Sequence, residues 1–314
     1  MKAARAVFFG LLLLCALIVF VHHAVEFERL GQMLRQAQPS WLLVALALQL
    51  ATYFLVAQVW RRALHAAGVQ MPLLSLVPLS VAKLFSEEAV PSAGVSGTAL
   101  FVAALGRRGI PAPICMGTLL ISLVSYYSAY ALMAIATFFV MRLHDTTPWW
   151  LTTTVTAFIA MAVLLPTVVF LLKAGAHLPM PKWLLARPAV ARFLRMLAQA
   201  PADLARKPTV LLPAVALHAG IFILDAWTLW VTLRAVGQVA SFWVAFSAFM
   251  MGAMVAALSA IPMGLGSFEA ACVVTLNLLG VPLHAAFAAT LLLRGFTLWL
   301  PMIPGMLLVR RALR

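Results

Sequence analysis

Long apolar runs alternate along the chain with short charged or proline- and glycine-rich breaks, and none shows the two-residue alternation of a half-buried strand. A run of about 20 apolar residues crosses a bilayer as a helix. By that measure spans are predicted at 6–24, 41–60, 114–141, 150–172, 210–233 and 285–309. Trp41 and Trp60 stand at the two ends of the second run, where interfacial aromatic anchors belong, and Arg61-Arg62 closes it. The polar stretch 26–40 reads as an interfacial segment.

Two apolar segments, 72–106 and 242–279, are interrupted in the middle. The first break is Pro91-Ser92-Ala93-Gly94-Val95-Ser96-Gly97; the second is Pro262-Met263-Gly264-Leu265-Gly266-Ser267. Each is followed by an apolar run and a further break, Gly109-Ile110-Pro111 or Gly280-Val281-Pro282, and the spacing agrees (109 − 91 = 18; 280 − 262 = 18). At a constant offset of 171 (262 − 91), residues 89–111 and 260–282 are identical at eight of 23 positions. This echo predicts two helical hairpins with tips at Pro91, Gly94 and Gly97 and at Pro262, Gly264 and Gly266. Interrupted hydrophobic segments at corresponding places in two halves are the sequence mark of a transport site.

The expected architecture is an all-α polytopic membrane protein of two inverted repeats. Each has two spans, a re-entrant-type hairpin and a further span: half one is 1–145, half two 146–314. Three crossings per half is odd, which inverts the second. Gly252, Ala256 and Ala260 form a small-residue stripe suited to close helix packing.

Composition fits this pattern: the chain is 65% hydrophobic and 10% charged, with mean hydropathy +1.05. The net charge of +14 is unevenly placed. Sixteen of the 22 Lys and Arg fall on segments that the crossing pattern puts on one side, including Arg107-Arg108, Arg310-Arg311 and the basic insert 173–208. That bias predicts cytoplasmic termini and contact with anionic headgroups, not with nucleic acid. Within the insert, 183–205 has the composition of a surface-lying amphipathic helix. Cys15, Cys115 and Cys272 have no metal-ligand spacing and read as small core residues; no metal or cofactor is expected.

Ionisable groups inside an apolar layer are costly, so each is a functional candidate. The sharpest is Glu269, in the first turn of the helix expected after the second break, with Arg294 near mid-depth of the last span as a possible partner. The pair reads either as an anion-binding element or as a lock between hairpin and last helix. In the first hairpin Lys83 and Glu87 are spaced to pair at i,i+4, and Glu88 has no such neighbour. Asp225, preceded by His218 at two-turn spacing, reads as a site residue or as a hydrogen-bonded acid near the outer interface. Tyr126, Tyr127 and Tyr130, with Ser122 and Ser125, are expected to hydrogen-bond between helices. No nucleophile elbow, zinc-protease, Walker or dinucleotide motif occurs, so no enzymatic activity is expected and no self-sufficient ATP-driven pumping.

The stretch Ile261-Pro-Met-Gly-Leu-Gly-Ser-Phe-Glu269, then Leu279-Gly-Val281 and Leu293-Arg294, resembles the P-G-G-x-G-x-x-E … G-V … R pattern of the flippase-like domain, the transmembrane region of lysylphosphatidylglycerol synthases and their stand-alone relatives. The earlier stretch 90–97 with Arg107-Arg-Gly-Ile110 resembles that family's first glycine-rich turn. Met263 stands where the pattern has its first glycine, and Thr98-Ala99-Leu100 where an acidic or arginine residue is often found. The chain ends at Arg314 with no stretch resembling the synthases' soluble aminoacyl-transferase domain. The resemblance implies translocation of a polar-headgroup, anionic or amphipathic lipid between the leaflets of a bacterial inner membrane. Membrane lipids would be the partners. Two other readings are an accessory subunit for a lipid- or glycan-synthesis enzyme and a secondary transporter of a small solute.

Overall fold

The computed structural model describes residues 37–89, 95–143, 149–173, 207–259 and 261–312, and every regular element among them is helical. In chain order these are α1 (Pro39–Ala66), α2 (Leu73–Ala89), α3 (Val95–Gly106), α4 (Ala112–Leu143), α5 (Trp149–Lys173), α6 (Pro208–Ala235), α7 (Phe242–Leu258), a 3₁₀ turn (Pro262–Gly264), α8 (Ser267–Leu278), α9 (Leu283–Arg294), a π turn (Gly295–Trp299) and α10 (Leu300–Ala312). The expected first span at 6–24, the tip residues Pro91 and Gly94, and the surface helix at 183–205 lie outside the described residues.

Among the described residues five helical stretches are long and apolar enough to cross a membrane: Pro39–Ala66, Ala112–Leu143, Trp149–Val168, Pro208–Ala235 and Leu283–Arg310. They coincide with the predicted second to sixth spans. The hairpin arms are too short, and the two hairpins have equal arms: 17 and 12 residues for α2 and α3, 17 and 12 for α7 and α8. The offset of 171 extends beyond the hairpins. It carries the start of α4 at Ala112 onto the start of α9 at Leu283, and α1 to within two residues of α6.

The repeated second break is the same turn in both halves. Gly109 and Gly280 have φ of 78° and 90°, in the left-handed region that glycine enters without steric cost. The next residue's N–H then bonds back to a helical carbonyl, Ile110 to Leu105 at 3.1 Å and Val281 to Leu276 at 3.0 Å, which ends each helix in the way a glycine C-terminus does. Packing repeats as well. α1 lies against α2 and α4 as α6 lies against α7 and α9, and α1 and α6 pack on each other along the centre.

Two features differ from the sequence reading. Arg61 and Arg62 do not end α1, which continues to Ala66 and closes at Gly68 (φ 83°); a charge ends a crossing, whereas a helix stops only where its backbone turns away. The last span is not a uniform α-helix, since its middle widens into the π turn at Gly295–Trp299. Pro301 has no N–H to return to the carbonyl four residues earlier, and its ring crowds that carbonyl; the wider turn absorbs both effects.

Close approach at small residues holds the second hairpin together. A Cβ on Gly252 of α7 would lie 3.0 Å from the Phe268 carbonyl oxygen and 3.1 Å from Cys272 Cβ of α8. Of the expected small-residue stripe, Gly252 packs on α8 and Ala256 lies against Gly264 of the turn; Ala260 lies outside the described residues.

Candidate functional site

The second break is built from a sequence of backbone constraints. Helix α7 stops at Ser259, whose hydroxyl bonds back to the Ala256 carbonyl (2.8 Å) and lies 3.0 Å from the Ser267 hydroxyl at the start of α8. Ser267 Oγ in turn donates to the Gly264 carbonyl (3.1 Å). Between the serines the chain passes through Met263 (φ 61°), Gly264 (φ 61°) and Gly266 (φ 83°). Three left-handed residues reverse the chain within a few positions, and two of them are glycines.

Met263 occupies the one such position in this turn without a glycine. A non-glycine residue in this region costs about 1–2 kcal/mol, while glycine gives back about 0.5–1 kcal/mol of backbone entropy. Met263→Gly is therefore expected to raise stability slightly, by about 1 kcal/mol or less, read as a small upward shift in Tm of the purified protein. A lowered Tm would mean that the methionine side chain contributes more by packing than its backbone costs.

Reversal of the chain aims two groups at each other. Glu269, in the first turn of α8, accepts the Gly266 N–H on Oε2 (2.7 Å), which caps the helix. Its Oε1 accepts from Arg294 Nε (2.7 Å). Arg294 also donates from Nη2 to the Met263 carbonyl oxygen (2.7 Å), and its guanidinium carbon lies 5.0 Å from the centre of the Phe268 ring. The two side chains are 12% and 15% exposed. The sequence reading paired these residues correctly. It missed the Met263 carbonyl and the Phe268 ring, which only the turn's geometry places there.

A guanidinium carries five N–H donors. Arg294 spends one on Glu269 and one on Met263, so three remain that no described protein group accepts.

The first hairpin approaches the same guanidinium. Helix α2 packs along α10, where Gly305 lies against Phe85, and Glu88, one turn on from Phe85, falls within electrostatic reach of Arg294. Lys83 pairs with Glu87 at 2.5 Å, as its spacing predicts. Gly97 of α3 leaves the room the Glu87 side chain occupies, since a Cβ there would collide with Glu87 Cγ. Ser96 Oγ donates to the Ser86 carbonyl (2.7 Å), tying α3 to α2 below the tip. The Glu88 side chain makes no hydrogen bond or ion pair among the described residues.

Asp225 and His218 make no hydrogen bond or ion pair with this cluster or with each other. Asp225 accepts from Gln49 Nε2 of α1 (2.8 Å), and Gln49 was not singled out from the sequence because an amide in an apolar run carries no charge to mark it. His218 Nδ1 lies 3.0 Å from Ser125 Oγ of α4 and 3.1 Å from the Ala214 carbonyl. The expected interhelical hydrogen bonding of α4 is thus made by Ser125. The tyrosines act through their rings: Tyr126 packs edge-on to His218, and Tyr130 lies 4.1 Å from Phe158 and 4.6 Å from Phe222 between ring centres. Cys115 and Cys272 are buried and free, and Cys272 Sγ accepts from Thr290 (3.4 Å).

An acid capping a broken helix, a basic partner in the last span, and a turn with glycine at its reversal points are the features the resemblance rested on. Residues 7–305 match the family described as the lysylphosphatidylglycerol synthase transmembrane region. The chain belongs to that family. It is accordingly an integral membrane protein of a lipid-related family. No curated protein matches the chain. Glu269 and Arg294, the acid and the arginine on which the resemblance rested, are brought into contact by the fold.

Proposed function

We propose that the protein moves a polar-headgroup phospholipid between the leaflets of a bacterial inner membrane, with the headgroup passing between the two hairpins and the acyl chains remaining in lipid. One observation carries the reading: Arg294 is anchored by Glu269 and Met263 yet keeps three N–H donors unclaimed among the described residues, in the field of Glu88 from the opposite hairpin. A guanidinium with free, fixed donors is a good receptor for phosphate oxygens. Two halves with matching helices and inverted topology, termini in the cytoplasm, would alternate access to that point by rocking one against the other. Catalysis has no part in this reading.

The test is headgroup accessibility in proteoliposomes containing a fluorescent phospholipid and an impermeant quencher. Wild-type protein is expected to expose the inner-leaflet pool, and the Glu269→Ala, Arg294→Ala double variant to do so at least tenfold more slowly. Removing both members leaves no unpaired charge, so the double variant is the one expected to fold. Equal rates for two folded proteins would remove these residues from the pathway. No accessibility change with wild-type protein would favour the accessory-subunit reading.

A further inference from the structure

We propose that Asp225 is a proton-binding site set in the seam between the two halves of the molecule. The inference stands apart from the identity of the cargo.

Its position is the first argument. Helix α6 runs from 208 to 235, so Asp225 stands 17 residues from one end (225 − 208) and ten from the other (235 − 225). At about 1.5 Å per residue that is about 15 Å from the nearer end, well within a hydrocarbon layer about 30 Å thick.

Its surroundings are the second. Among the described residues the side-chain partner of Asp225 is Gln49, whose amide nitrogen donates to Asp225 Oδ1 (2.8 Å) and to Thr228 Oγ1 (3.0 Å). The elements packed on α6 are α1, α4, α7 and α9. Helix α1 offers Tyr53, in the field of Asp225, while Arg61 and Arg62 lie 12 and 13 residues past Gln49. Helix α4 offers Tyr126, and α7 has no ionisable side chain. Helix α9 has His284, in its first turn, and Arg294, which is engaged by Glu269. On α6 itself His218 is bound to Ser125 and Ala214, and Arg234 lies over the Trp230 ring; from α2, Lys83 lies in the field of His218 and pairs with Glu87, while Glu87 and Glu88 act on Tyr126 together with Asp225. Arg294, Arg234 and Lys83 are therefore committed elsewhere, and among the described residues Asp225 has no cationic partner.

The chemistry follows from those partners. A metal ion needs several ligands, and among the described residues no group of three His, Cys, Asp or Glu side chains is placed to hold one. A proton needs one lone pair. Gln49 also suits both charge states, because its N–H donates to a carboxylate and its carbonyl accepts from a carboxyl O–H.

The location gives the proton something to act on. Among the described residues, the side-chain hydrogen bonds that link 1–145 to 146–314 are Gln49 with Asp225, Gln49 with Thr228, and Ser125 with His218, and all three end on α6. Taking up or releasing a proton at Asp225 changes the charge at this junction and so biases how the halves sit together.

The experiment is infrared difference spectroscopy of the protein in lipid nanodiscs, titrated from mildly acid to mildly alkaline buffer. Wild-type protein is expected to show a protonated-carboxyl C=O band that Asp225→Asn lacks and Glu88→Gln keeps; Gln49→Leu is expected to shift its midpoint. If Asp225→Asn does not fold, Asp225→Glu serves in its place, with the band moved in frequency. A band unchanged in the Asp225 variant, or no carboxyl band at any pH, overturns the proposal. These results do not depend on lipid movement, so they separate from a failure of the proposed function.

Discussion

Arg294→Ala is expected to destabilise the protein by on the order of 3 kcal/mol, more than the loss of one hydrogen bond explains. Removing one member of a mostly buried pair leaves the other as an uncompensated charge. Glu269, 15% exposed, would keep only the Gly266 N–H, and the Met263 carbonyl would lose the Arg294 donor 2.7 Å away. Glu269→Ala has a different cost. It uncaps α8 and leaves Arg294 with a neutral carbonyl, a ring and the more distant Glu88. The two losses share one interaction, so the double variant is expected to be more stable than the sum of the single effects predicts, by about 1–3 kcal/mol of coupling. Thermal unfolding of the four proteins in one detergent closes the cycle. Additive effects would show that the contact carries no energy, leaving each residue to act through its backbone partner. Arg294→Lys is expected to recover only part of the loss: an ammonium retains the charge, but it cannot present the planar fork that reaches Glu269 Oε1 and the Met263 carbonyl together.

The same pair shows what could be read from the chain and what could not. Glu269 and Arg294 stood out because ionisable groups are rare in apolar runs, and proline and glycine located the turn beside them. The span limits followed from run length, and the offset of 171 from the prolines carried through to helix starts at Ala112 and Leu283. Groups that took part without a charge or a turn signal stayed hidden. Gln49 is an uncharged amide in a largely apolar helix, and its role depends on α1 packing against α6. The Met263 carbonyl became a ligand for Arg294 through a left-handed backbone that methionine rarely adopts, so its residue type pointed the wrong way. The π turn after Arg294 follows from Pro301, but a missing N–H can kink, widen or break a helix, and the choice is made by neighbouring helices. Glu88 approaches Arg294 only because Gly305 lets α2 lie close on α10, a contact between residues 220 positions apart (305 − 85).

Gly264→Ala is expected to be the most damaging single methyl addition at the second break, lowering stability by about 2–4 kcal/mol, and the reason divides into two measurable parts. Gly264 has φ 61°, where an L side chain costs about 1–2 kcal/mol. A Cβ there would also lie 2.6 Å from the Ala256 Cβ of α7, far inside van der Waals contact. Alanine has no rotamer to move aside, so the overlap must separate the turn from α7, and overpacking of this kind costs about 1–3 kcal/mol. The displacement would propagate directly to the site. The Gly264 carbonyl accepts from Ser267, Ser267 meets Ser259, and the adjoining Met263 carbonyl holds Arg294. Adding Ala256→Gly removes the contact but not the backbone cost. Ala256→Gly by itself should weaken α7 by about 1 kcal/mol, so the informative quantity is the coupling between the two changes, expected to favour the double variant. Glycine at 256 that fails to soften the effect of alanine at 264 would assign the whole loss to backbone conformation. The contrast with Gly266 sharpens the test: its φ is 83°, but nothing lies within 4 Å of a Cβ placed there. Gly266→Ala should show the backbone cost alone, and Ala256→Gly should leave it unchanged.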